Sequence, residues 1–258
     1  MIISHEHQFI FLKTAKVAGT SVEVYLNQYR GEHDVFTPHW IKENNYIAQN
    51  YRAYFNPLRE FSYRFSLHEI PFSKRFSATF SDVYSKNIYF ENIPAWQLKL
   101  RLPESVWQSY FKFTIERNPW DKCVSRYFHS KLIYETKYKK ELTFEAWFSY
   151  FLRRLEQPWK THAFGSEAPY NWPRYTCIKT DTLLIDHVIQ YEYLYDELHQ
   201  LCRRWNIPFK NFETFRAKNN FRTKREHYRS FYSHENKPFI DKIAHVFQKE
   251  ITQFNYQF

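Results

Sequence analysis

The sequence predicts an α/β fold, with one domain spanning 1–258 and a central, mostly parallel sheet flanked by helices. Three observations lead there. Short apolar runs of strand length, such as Phe9-Ile10-Phe11-Leu12 and Phe113-Thr114-Ile115, are each followed by a longer amphipathic stretch. Alternation of that kind builds parallel sheets. A chain of 258 residues, 43% hydrophobic and 21% aromatic, can bury one substantial core. No repeat, low-complexity tract or interdomain linker divides it.

The elements are expected in this order. A strand at 8–12 precedes a helix at 19–28, and a long polar and aromatic stretch fills 31–86. A strand at 87–91 and a short helix at 94–101 follow. A strand at 111–116 feeds a helix over 119–138, where Pro119 suits the first helical turn. The next helix, 143–156, opens on the cap-like Thr143 and stops before Pro158. A loop covers 157–173, then strands at 174–179 and 186–191 and a helix at 193–205. A final helix, 235–252, carries Ile240, Ile243, Ala244, Phe247 and Ile251 at helical spacing. Ligands of such sheets bind beyond the carboxyl ends of the strands.

Two of those strand ends suit anions. Phe9–Leu12 runs into Lys13-Thr14-Ala15-Lys16-Val17-Ala18-Gly19-Thr20-Ser21, and Phe113–Glu116 into Arg117-Asn118-Pro119-Trp120. The unpaired N–H groups of a helix start and the helix dipole both favour negative charge. Glycine occurs only at 19, 31 and 165, so Gly19 is expected to serve a backbone purpose, such as close approach to a ligand. Thr20 and Ser21 supply hydroxyls and candidate N-caps, and Lys13 and Lys16 supply ammonium groups. The first loop is not a Walker A motif, because Lys16 precedes the glycine and no second glycine follows. That argues against an ordinary ATP or GTP phosphotransferase.

Together the two segments resemble the cofactor motifs of sulfotransferases that use 3′-phosphoadenosine 5′-phosphosulfate (PAPS), in the carbohydrate-type branch. Lys16-Val17-Ala18-Gly19-Thr20-Ser21 resembles the loop that wraps the 5′-phosphosulfate. Arg117-Asn118-Pro119-Trp120-Asp121, with Ser125 eight positions after the arginine, resembles the motif that holds the 3′-phosphate. Ile93-Pro94-Ala95-Trp96, Asp186 to Glu192 and the tail from His227 extend the likeness. It implies a P-loop-like nucleotide-binding scaffold, PAPS as donor with the nucleotide PAP as product, and transfer of a sulfuryl group to a hydroxyl of a carbohydrate or glycoconjugate. It implies Lys16 as the catalytic cation, Arg117 and Ser125 as 3′-phosphate ligands, and Arg222, Lys224 and Arg225 as a basic segment closing over that phosphate.

The branch often has a histidine just before its Met/Ile-Pro-Ala segment; Asn92 stands there, preceded by Glu91. An amide is no base at neutral pH, so Glu91, at a strand end, is the first candidate base, provided burial raises its pKa. His39 and His68 are the next two. Asn92 is expected to orient the acceptor.

A net charge of +10 suits anionic ligands. Cys123, Cys177 and Cys202 have neither paired nor metal-ligand spacing, and no metal is expected. No long apolar run or leader is evident, so a cytoplasmic protein without a membrane anchor is expected. The expected partners are a small nucleotide and a hydroxyl acceptor, not nucleic acid. The rival readings are a kinase on a similar scaffold, a nucleic-acid-binding protein and a nucleotide binder without turnover.

Overall fold

The structure, a computed structural model, describes residues 1–39, 46–66, 81, 83–155, 169–212 and 227–258. β1 (Ile2–Ser4) and β2 (Phe9–Leu12) form a hairpin, and α1 (Gly19–Leu26) follows the loop after β2. Then come β3 (Val35–Phe36), α2 (Leu58–Phe65), α3 (Ala95–Arg101), α4 (Glu104–Ser109) and β4 (Phe111–Glu116). α5 (Pro119–Tyr138), α6 (Phe144–Leu155), α7 (Trp172–Tyr175), β5 (His187–Gln190) and α8 (Leu194–Arg204) come next. α9 (Tyr228–Phe231), α10 (Phe239–Val246) and α11 (Gln248–Phe254) complete the set. No helix among the described residues is long and apolar enough to cross a membrane.

The five strands form one sheet in the order β3-β1-β2-β4-β5. β2 pairs parallel with β4, and β4 with β5, whereas β1 is antiparallel to both β2 and β3. The sheet is therefore mixed rather than mostly parallel in its pairings. β1 alone runs against the other four, so β2, β3, β4 and β5 all end on the same rim. The outer strands are closed locally. Phe36 exchanges both backbone hydrogen bonds with Gln49, each at 3.0 Å, and the Gln190 N–H points to Glu197 Oε1 at 3.4 Å.

Strand alternation sends Phe9, Phe11, Phe113, Ile115 and Ile189 to one face, where they pack on α1 and α8. Ile3, Ile10 and Leu12 point the other way, onto α3 and the Trp172–Tyr175 turn. A third apolar cluster contains no strand residue: Trp120, Cys123, Val124 and Tyr127 of α5 pack with α6, α9 and α10. α5 thus leaves the sheet at Asn118 and enters a helical layer of its own.

Several expectations need correction. Residues 87–91 form no strand. Arg52 and Asn87 make one isolated bridge, and the Ile93 N–H closes a turn on Phe90 O. Residues 174–179 are not a strand either, but a helical turn followed by the lone bridge Thr176–Leu183. The final helix is two helices, because Phe247 leaves helical geometry at φ −102° and ψ 23° while its ring stays in the core.

Candidate functional site

The loops that follow β2 and β4 meet. The Thr14 hydroxyl donates to Ile115 O at 2.7 Å, and the Thr114 hydroxyl donates to Leu12 O at 2.6 Å. Two residues further along each segment, Arg117 Nη1 donates to Lys16 O at 3.4 Å. The two predicted anion loops therefore lie side by side on the carboxyl rim.

In the first loop, Lys16 and Ala18 adopt left-handed φ values of 65° and 61°, with Val17 between them outside that region. Alternation of this kind turns successive peptide N–H groups toward one concave side. Ala18, not Thr20 or Ser21, is the N-cap of α1, and no side chain caps the helix. Its first internal bond runs from Ser21 N to Ala18 O, so the N–H groups of Gly19 and Thr20 lie ahead of the helical ladder. Thr20 and Ser21 sit buried inside the first turn, and Val17 points into the core. What these residues offer a ligand is mainly backbone.

Gly19 serves a different purpose from the expected one. Its φ is not positive, and a Cβ there would lie 2.9 Å from Lys13 Cγ. Gly19 makes room for the Lys13 stem.

Lys13, expected among the cofactor ligands, is 5% exposed and directs its ammonium inward. Nζ lies 2.7 Å from Glu23 Oε2, 2.5 Å from Glu91 Oε1 and 3.1 Å from His39 Nδ1. The Met1 amino group pairs with the other oxygen of Glu23. Glu91 and His39, the first two base candidates, are thus brought together from positions far apart in the chain. Tyr46 covers the His39 ring, with centroids 4.0 Å apart.

This cluster does not leave Glu91 poised as a base. Burial alone would raise its carboxyl, but the neighbouring His39 and Lys13 hold it well below the usual carboxylate range. The raised pKa that the base role requires is absent. Burial pushes the His39 imidazole down to about 4, with Glu91 opposing and Lys13 assisting. An ammonium only donates, so His39 Nδ1 accepts from Lys13 and the ring proton sits on Nε2. That Nε2 is buried and meets no hydrogen-bond partner among the described residues.

Glu23, His39 and Glu91 place ligand-type atoms within 4.8 Å of one another, a spacing that would suit a divalent ion. The Lys13 ammonium already lies among them and supplies the positive charge. Asn92 has φ 60°, a conformation that asparagine tolerates better than most residues, and its carbonyl accepts from Arg174 Nη1 at 2.8 Å. The turn itself therefore accounts for an asparagine there. Its Oδ1 is buried without a partner among the described residues.

The second loop also differs from the expectation of an open helix start. Asn118 caps α5, its side chain accepting from Trp120 N at 3.1 Å, and its Nδ2 donates to Gln257 O at 2.8 Å. The Asn118 N–H is held by Glu192 Oε1 at 3.0 Å. What remains for a ligand is side chain. The Arg117 guanidinium lies 4.3 Å from the Tyr191 ring centroid and 2.5 Å from Asp121 Oδ2. Asp121 and Ser125 are four residues apart on α5, so the half-buried Ser125 shares the Arg117 side of that helix. His68, Arg222, Lys224 and Arg225 lie outside the described residues.

Beneath both loops sits a buried polar network that sequence reasoning missed. Glu116 accepts from Lys122 Nζ at 2.6 Å, from the Tyr175 hydroxyl at 3.0 Å and from Arg117 N at 2.9 Å. Asn171 joins Glu116 to the first loop. Glu250 of α11 lies behind Lys122, 3.9 Å from Nζ, and burial pushes its carboxyl up to about 8 against the pull of Lys122. No motif announces these residues. The one signal was a charged residue, Glu116, directly after the apolar and uncharged-polar run Phe113-Thr114-Ile115.

Comparison with known proteins adds little to this geometry. No protein-family model matches the chain. An uncharacterized protein of Archaeoglobus fulgidus is 27% identical over 117 residues, 45% of this chain and 84% of that protein. No solved structure matches.

Proposed function

We propose that the chain binds a 3′-phosphoadenosine nucleotide across the two loops and transfers a sulfuryl group from PAPS to an acceptor hydroxyl, with a carbohydrate as the acceptor class. The observation that carries this reading is the meeting of the Lys16 and Arg117 loops on one rim, with Arg117 Nη1 3.4 Å from Lys16 O. One adenosine with an anionic group at each end is short enough to touch both. The left-handed alternation at 16 and 18 and the uncapped start of α1 support a P-loop-like cradle for the 5′ end. The guanidinium fork of Arg117 and the Ser125 hydroxyl suit the 3′-phosphate.

In this reading the acceptor oxygen attacks sulfur in line, and the bond from sulfur to the bridging phosphate oxygen breaks. The acceptor's proton passes to solvent water as it attacks, and PAP departs with the charge that develops on that oxygen. Lys16 and the N–H groups of Gly19 and Thr20 stabilise this charge. One donor aimed at developing charge is worth about 10²–10³ in rate. Lys16→Ala should therefore depress turnover about 100-fold, and Arg117→Ala should chiefly weaken nucleotide binding. Calorimetric titration with PAP against ATP tests the whole reading. Strong preference for PAP supports it, and equal or absent binding overturns it.

A second reading is a nucleotide binder without turnover. The ion pairs of Glu91 favour it, because they lower the proton affinity of the first base candidate and so make it a weak base. PAP binding with no acceptor-dependent release of PAP from PAPS would select this reading.

A further inference from the structure

We propose that Asn171 is a positioning residue that sets the spacing between the two loops, and so selects a nucleotide with an anionic group at both ends. The inference rests on the nucleotide reading above and names the part of the molecule that enforces it. Asn171 is fully buried, immediately ahead of α7. Its Oδ1 accepts from Ala15 N at 3.0 Å, and its Nδ2 donates to Ala15 O at 3.1 Å. The side-chain amide thus grips both polar groups of the residue just before Lys16.

The same Nδ2 lies 3.5 Å from Glu116 Oε1, the oxygen that takes the Arg117 N–H at 2.9 Å. One amide and one carboxylate therefore connect the peptide before Lys16 to the peptide of Arg117. The chemistry accounts for the residue type. Only an amide of this length offers a donor and an acceptor in one plane, and an aspartate would set a second carboxylate against Glu116. The grip is itself braced. Tyr175 donates to the far oxygen of Glu116, and Arg174 N donates to Asn171 O at 2.8 Å.

The hydroxyl stitches at Thr14 and Thr114 already join the strands, so this bridge is not needed to align the sheet. What it fixes is the separation of the two loops beyond the strand ends. A ligand that engages both loops gains from sites held ready at the right distance, whereas a ligand that engages one loop gains nothing from it.

The test is calorimetric titration of PAP, 3′-AMP and 5′-AMP into the wild-type chain and Asn171→Ala, with circular dichroism to check the fold. Asn171→Ser leaves a hydroxyl and room for a water, and serves if Asn171→Ala does not fold. The expected result is a loss of about tenfold or more in PAP affinity, with 3′-AMP and 5′-AMP changed by less than about threefold. Wild-type binding of PAP with no loss in the variant, or an equal loss for all three ligands, would overturn the positioning role. Failure of the wild-type chain to bind PAP would instead overturn the nucleotide reading on which it rests.

Discussion

Replacing Lys13 with methionine would expose how far the site depends on one buried ammonium. Methionine keeps most of the aliphatic stem beneath Gly19, so the packing change is small. What is lost is the charge between Glu23, which is fully buried, and Glu91, which is 14% exposed. Removing one partner of a buried ion pair costs about 3–5 kcal/mol, because the remaining charge stays desolvated. For a chain of this size that corresponds to a fall in Tm of about 6–20 °C. Thermal unfolding followed by circular dichroism at pH 7 measures it.

The pH dependence gives the argument its sign. In the wild-type chain the Glu91 pKa is depressed, so its stabilisation is present above the unfolded carboxylate range and is lost as pH falls through the lower native value. Without the ammonium, Glu91 takes up a proton more readily, so the deficit of the variant should shrink as the pH is lowered toward 4. The double variant Lys13→Met/Glu91→Gln should recover part of the loss. A Lys13→Met chain as stable as wild type at pH 7, with an unchanged pH profile, would refute the reasoning.

Glu250→Gln tests the buried carboxyl behind Lys122. Its native pKa of about 8 lies above the ordinary 4.5, so the native state holds an extra proton between those values and wild-type stability falls as pH rises through the window. The limiting slope is about 1.4 kcal/mol per pH unit, and urea unfolding between pH 5 and 8 should show this contribution removed in the variant. Gly19→Ala places a Cβ 2.9 Å from Lys13 Cγ, and overpacking of this kind costs about 1–3 kcal/mol, read as a lower Tm. Treatment with EDTA should leave Tm unchanged, because the Lys13 ammonium lies among the metal-type ligands Glu23, His39 and Glu91; a large fall would assign that cluster to a metal instead.

What the sequence disclosed follows from how local each signal is. β4 and α5 begin and end where the apolar run and Pro119 place them, because a long apolar strand and a proline at the first helical position are decided by neighbours in sequence. The proximity of Glu91 and His39 was foreshadowed only as two separate candidates for one role. Their pairing with Lys13 depends on β1 separating β3 from β2, and nothing local encodes that. Residues 87–91 have the aromatic composition of a strand, but the Tyr89 N–H bonds to Tyr51 O and the segment turns at Asn92. The long final helix failed because Ile243, Phe247 and Ile251 keep helical spacing across a break whose two halves serve the same core. Asn171 lies in a stretch with the composition of a loop, and its two bonds to Ala15 span 156 positions of chain.

The closure of the outer strands has a consequence for a chain so rich in aromatic residues. An open strand margin with unanswered N–H and C=O groups acts as a template for a second copy, and apolar side chains make such pairing adhesive. Here β3 is only two residues long and Gln49 answers both polar groups of Phe36, while Glu197 occupies the Gln190 N–H on the far side. Lengthening β3, or replacing Gln49 with a residue that frees that backbone, would remove the guard and turn the rim of the sheet into the start of intermolecular β-pairing.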